Sequence, residues 1–176
     1  PIGIGWHAEF GGPHAEINAL DSVKPNHRSL VAGCTAYVTL EPCSHQGKTG
    51  PCGDALIAAG VGRVVVAVID PNPSVAGQGI LRMQAASIEV ETGILKPEAT
   101  QSLAPYLKRT NTGLPWIIAK WAMTVDGKIA TATGNSQWIS NEKSRRKVHD
   151  LRRRVDAVMI GIGTALADDP MLNARP

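Results

Sequence analysis

Apolar positions come in short runs rather than one long stretch, and their spacing predicts strands alternating with helices. The run "RVVVAVID" is continuously β-branched, the pattern of a strand covered on both faces, and "TAYVTLEP" reads as a second buried strand. Between them "CGDALIAAG" reads as a short helix closed by Gly60, a residue at ease in the left-handed conformation that ends helices. Pro13 suits a first helical turn and predicts a helix over residues 14–23, which "KPNH" then breaks. "GQGILRMQAAS" reads as helix, "IEVET" as a short strand, and residues 97–108 as helix despite Pro105, while residues 2–6 look like the tail of a strand. This alternation implies an α/β sheet with helices on both sides.

The polar stretch "RTNTGLP" (residues 109–115) is the best linker, and the pattern restarts after it. "WIIAKWAMT" reads as a strand, "GKIATATGNS" as strand and turn, "NEKSRRKVHDLRRRV" as a helix, and "DAVMIGIGT" as another strand. Two domains result, residues 1–112 and 113–176, with no internal repeat. Pro1 at one end and the loop-like "DDPMLNARP" at the other suggest a piece of a longer protein.

Composition narrows the classes. Hydrophobic residues at 43% and charged ones at 19% mark a globular chain, and aromatics at 4% leave the core to aliphatic side chains. The longest apolar runs are too short to span a bilayer, and no secretory leader stands at the start, so neither membrane nor export is expected. A net charge of +3 does not by itself argue for nucleic acid. Three cysteines, an odd number, speak against a disulfide framework and for a reducing cytoplasm. Cys34, at a strand entry, reads as a small buried hydrophobe.

The chemistry gathers around two motifs. "PHAE" puts His14 and Glu16 in a first helical turn, where both can border one pocket although residues two apart do not share a helix face. "EPCSHQGKTGPC" puts Cys43 directly after a strand and Cys52 at a helix start, where the helix dipole favours a thiolate. His, Cys and Cys are ligands zinc prefers, and three of them leave a fourth position open, as catalytic zinc sites do. Zinc lowers the pKa of a bound water toward ~7, and Glu16 can move the released proton. A closed structural site with His45 as fourth ligand, or no metal at all, is the alternative. Glu16 favours the catalytic reading, because a closed site has no use for it.

H-x-E followed by P-C…C resembles the zinc-dependent nucleoside and nucleobase deaminases. Eight residues separate the cysteines here instead of two, and that insert, with "TLEPC", "IDPNPSVAGQGI" and "AKWAMTVDGKIATATGNSQWIS", is similar to the bifunctional deaminase/reductase family of riboflavin biosynthesis. The resemblance covers nearly the whole chain. It implies a cytidine-deaminase-like three-layer α/β/α domain followed by a truncated dihydrofolate-reductase-like α/β domain. It further implies zinc on His14, Cys43 and Cys52, with Glu16 catalytic. The implied substrate is a small phosphorylated pyrimidine, a diaminopyrimidinone ribosylamino 5′-phosphate, met by His45 and by Lys48 as a phosphate cation. The family usually has proline where Gly50 stands, which alters the loop.

In the second domain, Gly161-x-Gly163 lacks the third glycine of a dinucleotide fingerprint, since Leu166 occupies that place. The basic run over residues 143–154 invites a nucleic-acid reading, but Val148, Leu151 and Val155 form an apolar stripe at helical spacing, the pattern of a solvated amphipathic helix. The family resemblance implies NADPH bound by Ala122, Trp138, Thr164 and Asp168, substrate contacts from Ser136, Arg152, Leu172 and Arg175, and Lys120 near the reacting sugar. It also implies an opening helix and strand and further glycine-rich cofactor contacts not present in the chain, so these 176 residues alone are expected to reduce nothing and deaminate poorly. No nucleic-acid partner is expected, and a homo-oligomer is compatible. The rival readings are another zinc deaminase acting on a base, nucleoside or tRNA, and a zinc-stabilised RNA-binding module.

Overall fold

A computed structural model describes residues 1–47 and 50–175 and divides into two compact units, Pro1–Ile117 and Ile118–Pro176. The first is built on a parallel three-stranded sheet in the order β1 (Thr35–Leu40), β2 (Arg63–Val68), β3 (Glu89–Thr92). Parallel neighbours need crossovers. They are supplied by α2 (Cys52–Ala58) between β1 and β2 and by α3 (Gln78–Ala85) between β2 and β3. Gly60, at φ +73°, ends α2 as expected.

The β-branched run behaves as its pattern requires. Val64 and Val66 on one face of β2 meet Leu56, Val61, Met83 and Ile88, while Val65 on the other face is also buried. Ala99 is buried within α4 (Lys96–Ser102), which packs against β2. β1 is less enclosed than its sequence suggests, with Tyr37 and Thr39 exposed, so it is covered on one face only. Residues 2–6 form no strand; they run beside α1 (Ala15–Asp21), where the Ile4 N–H donates to Ser22 Oγ at 2.9 Å and side chains at Gly3 and Gly5 would collide with the helix backbone.

Two boundaries differ for reasons of backbone chemistry. The helix expected over residues 97–108 is two helices, α4 and α5 (Ala104–Thr112), broken at Leu103. Pro105 has no N–H to donate into a continuing helix and so starts a new one from its first turn. Helix α5 also absorbs residues 109–112 of the expected linker, and the chain leaves it at Gly113, at φ +70°.

The second unit contains α6 (Glu142–Arg152) and α7 (Ile162–Asp168). Asn141 caps α6 by accepting from the Ser144 N–H at 2.9 Å; Val148 and Leu151 are half-buried on the helix, while Val155, expected on the same stripe, is half-buried just past its end at Arg152. The strands expected in "WIIAKWAMT", "GKIATATGNS" and "DAVMIGIGT" are not formed, and the last segment instead leads into α7 from Gly161. A strand exists only by pairing, and these segments find no ladder partner among the described residues. No helix among the described residues is long and apolar enough to cross a membrane.

Candidate metal centre

In an open parallel sheet the crevice outside the carboxyl ends of the strands is where loops converge. β1 ends at Leu40, and Glu41, Pro42 and Cys43 follow at that edge. Cys52, with 0% exposure, is the first residue of α2, and the Gly53 N–H donates to the Cys43 carbonyl at 3.1 Å. The Cys52 N–H points at Cys43 Sγ, 3.3 Å away. His14 is the residue before α1, so its ring projects from a helix start into the same corner. Its Nδ1 lies 3.6 Å from Cys43 Sγ and 3.3 Å from Cys52 Sγ, and the three donor atoms all lie within 4.8 Å of one another.

These spacings suit a metal. Zinc holds Sγ at ~2.3 Å and nitrogen at ~2.0–2.1 Å, so a tetrahedral edge between N and S is ~3.6 Å. Among the described residues the cluster consists of three side chains, and His45 is not one of them.

Electrostatics point the same way. The hydrogen bond between the two thiols brings Cys43 down to about 5, helped by the Cys52 backbone N–H and His14 and opposed by burial. The same hydrogen bond, with burial and the nearby Glu16, pushes Cys52 well above an ordinary thiol. The two thiols thus compete for one proton, and metal binding, which needs both as thiolates, must expel it. Glu16 is raised from 4.5, chiefly by burial. A carboxyl whose charged form is disfavoured is suited to taking up a proton and releasing it.

The site opens on two hollows. One, of about 240 Å³, is lined by His7, Phe10, His14, Cys43 and His45 among others. The other, of about 970 Å³, brings Glu16, His45, Asp70, Asn72 and Tyr106 to the same space as His14 and Cys43. Lys48 lies outside the described residues. Sequence reasoning missed His7, whose ring stands edge-on to His14 at 5.3 Å between centroids. It also missed Asp70, which accepts from the Tyr106 hydroxyl at 2.8 and 3.0 Å. A carboxylate directly after the apolar run of β2 was the available signal.

In the second unit, Thr164 and Asp168 stand one turn apart on α7, and Trp138 lies beneath the Arg145 guanidinium, 4.5 Å from its ring centroid. Arg152 donates to the Asn173 carbonyl at 3.1 Å, and the Arg175 N–H donates to His149 Nδ1 at 3.1 Å, which ties α6 to the segment containing Leu172. Ala122 and Ser136 lie in irregular backbone before α6.

Residues 1–68 match the cytidine and deoxycytidylate deaminase zinc-binding region, and residues 115–176 match the RibD C-terminal domain. The riboflavin biosynthesis protein RibD of Escherichia coli is 49% identical over 174 residues, 99% of this chain and 46% of that protein. That of Aquifex aeolicus is 44% identical, over 99% and 48%. The chain is similar to the RibD family along nearly its whole length. Among solved RibD structures, the diaminohydroxyphosphoribosylaminopyrimidine deaminase/5-amino-6-(5-phosphoribosylamino)uracil reductase of Thermotoga maritima matches at TM-score 0.91 and 42% identity, covering 99% of this chain and 49% of that one. Acinetobacter baumannii RibD matches at TM-score 0.90 and 45% identity, covering 99% and 48%. The chain thus spans about half the length of the RibD relatives it matches.

Proposed function

We propose that the protein works in riboflavin biosynthesis, with residues 1–112 as a zinc deaminase domain and residues 113–176 as the first part of an NADPH-dependent reductase domain. The deaminase removes the ring amino group of 2,5-diamino-6-ribosylamino-4(3H)-pyrimidinone 5′-phosphate as ammonia, and the reductase converts the ribosyl group to a ribityl chain. The observation that carries this reading is the convergence of one imidazole and two sulfurs within 4.8 Å, at the carboxyl edge of a parallel sheet.

His14, Cys43 and Cys52 hold the metal. When bound, zinc supplies an activated water near neutral pH. Glu16 takes a proton from the attacking water and delivers it to the departing nitrogen. His45 orients the substrate and Lys48 meets its phosphate. In the reductase, Ala122, Trp138, Thr164 and Asp168 line the NADPH site, and Ser136, Arg152, Leu172 and Arg175 contact substrate. The arginines suit its phosphate, and Lys120 stands near the sugar. A cytoplasmic enzyme, able to form a homo-oligomer and taking no nucleic acid, fits this chemistry.

The test is metal content and ammonia release from the full-length protein. One zinc per chain is expected, with turnover lost on chelation and restored by zinc. A metal-free protein that deaminates the pyrimidine at an undiminished rate would refute the reading.

A further inference from the structure

Glu41 ends up in an unusual place for a carboxylate. It is 3% exposed, directly after β1 and two residues before Cys43. Its Oε1 accepts from the N–H groups of Gly79 and Ile80, at 3.0 and 3.3 Å. Its Oε2 accepts from those of Gly77 and Asp70, at 2.9 and 3.3 Å. Four backbone donors from two segments therefore point at one side chain. Helix α3 has no side-chain cap of its own, because Gly77 stands at its N-cap position, and Glu41 supplies that cap across the sheet.

The same residue is tied by its backbone, with its N–H donating to the Val68 carbonyl at 2.9 Å. Pro42, buried and conformationally stiff, follows, and its carbonyl lies so close to Gly79 that a Cβ there would strike it. The chain thus enters Cys43 from a point fixed on three sides: by β2, by the start of α3 and by the loop after β2. None of this is contact with the candidate metal site. Glu41 is not among the clustered donors, and its two oxygens are committed to backbone N–H groups.

We propose that Glu41 is a positioning residue for the metal centre, holding the turn that carries Cys43 against the N-terminus of α3 so that its sulfur meets His14 and Cys52 at ligand spacing. The inference rests on the reading of His14, Cys43 and Cys52 as metal ligands. Because coupling is reciprocal, a clamp that favours metal binding must itself be tightened by the metal.

The experiment uses full-length protein loaded with zinc or cobalt(II). In Glu41→Gln the shape is kept, but an amide NH2 must face two N–H donors. Zinc affinity, measured by chelator competition, is expected to fall tenfold or more, as for residues that orient ligands. The thiolate-to-cobalt absorption should weaken, and Glu41→Asp should recover part of both. Val66→Ala, a core substitution away from the ligands, should lower thermal stability while leaving affinity and spectrum unchanged. In the wild type, zinc loading should slow hydrogen exchange at the amides of Gly77, Gly79 and Ile80. A folded Glu41→Gln protein with wild-type zinc affinity and cobalt spectrum overturns the proposal. If that variant does not fold, the exchange measurement decides, and unchanged exchange at those three amides overturns it. A wild type that binds no zinc at all would instead refute the metal site itself.

Discussion

Residues 64–68 and residues 118–125 read similarly as sequence, both apolar and both suggestive of strands, yet the protein uses them in opposite ways. Val64 and Val66 have 0% exposure in the middle of a sheet, whereas Trp121, Met123 and Val125 are exposed and lie in irregular backbone. Among the described residues no side chain beyond Ala99 is buried. Apolar patterning describes what a segment could bury. Whether it does so depends on neighbours that supply a ladder and a covering layer, and the first unit has them in β1, β3, α2 and α3.

Chemistry divides the two regions most sharply. In the full-length protein, Glu16→Gln should cut ammonia release by about 10²- to 10⁴-fold while zinc content stays at the wild-type level. NADPH oxidation with already deaminated substrate should be unaffected. Loss of both activities together would show that the two regions do not work separately.

Hydrogen exchange on the 176-residue chain tests the structural half of the contrast. Amides of β2 should exchange about 10³-fold or more slowly than those of residues 118–135, since opening the sheet requires most of the stability of the first unit. Equal protection would mean that the second region is ordered by something other than burial.

Core truncation gives a smaller effect. Val66→Ala should cost about 2 kcal/mol through lost burial and the cavity left behind. Leu166→Ala, at an exposed position of α7, should change stability by less than about 0.5 kcal/mol. Denaturant midpoints of the two variants measure the difference.

A modest effect, smaller than that of Val66→Ala, concerns the edge of the first unit. Tyr106→Phe removes the hydroxyl that donates to Asp70, and since Tyr106 keeps 36% of its surface exposed the expected loss is only about 1 kcal/mol. The phenol is raised from 10.0 to about 12, first by burial and then by Asp70. The folded protein therefore holds this proton more tightly than the unfolded chain. Its contribution stands in full below pH 10.0 and is lost as pH rises through about 12. Alkaline unfolding of wild type and Tyr106→Phe should accordingly converge across that interval.

How much could be read beforehand follows the same line between local and distant causes. The β2 run, the Gly60 stop and the Asn141-capped helix depend on neighbours in sequence, and all three form where the pattern places them. The His14, Cys43 and Cys52 cluster was legible because ligand chemistry narrows the choices, although only the fold brings its members within 4.8 Å. At Pro105 the missing N–H splits the helix expected over residues 97–108 into two. Glu41 could be quoted as part of "TLEPC" but not understood, since its four partners lie 29 to 39 residues further along. The strands expected after residue 115 failed for want of partners, which no local pattern reveals.

The hydrogen bond from Gly53 to the Cys43 carbonyl closes the span between the two cysteines at its base. With its endpoints pinned there, the span between the cysteines can lengthen, shorten or change composition without dragging them, so on the proposed reading the metal ligands and the substrate contacts can diversify independently. Grafting a shorter or longer loop between those anchors is therefore a route to new substrates on an unchanged metal corner.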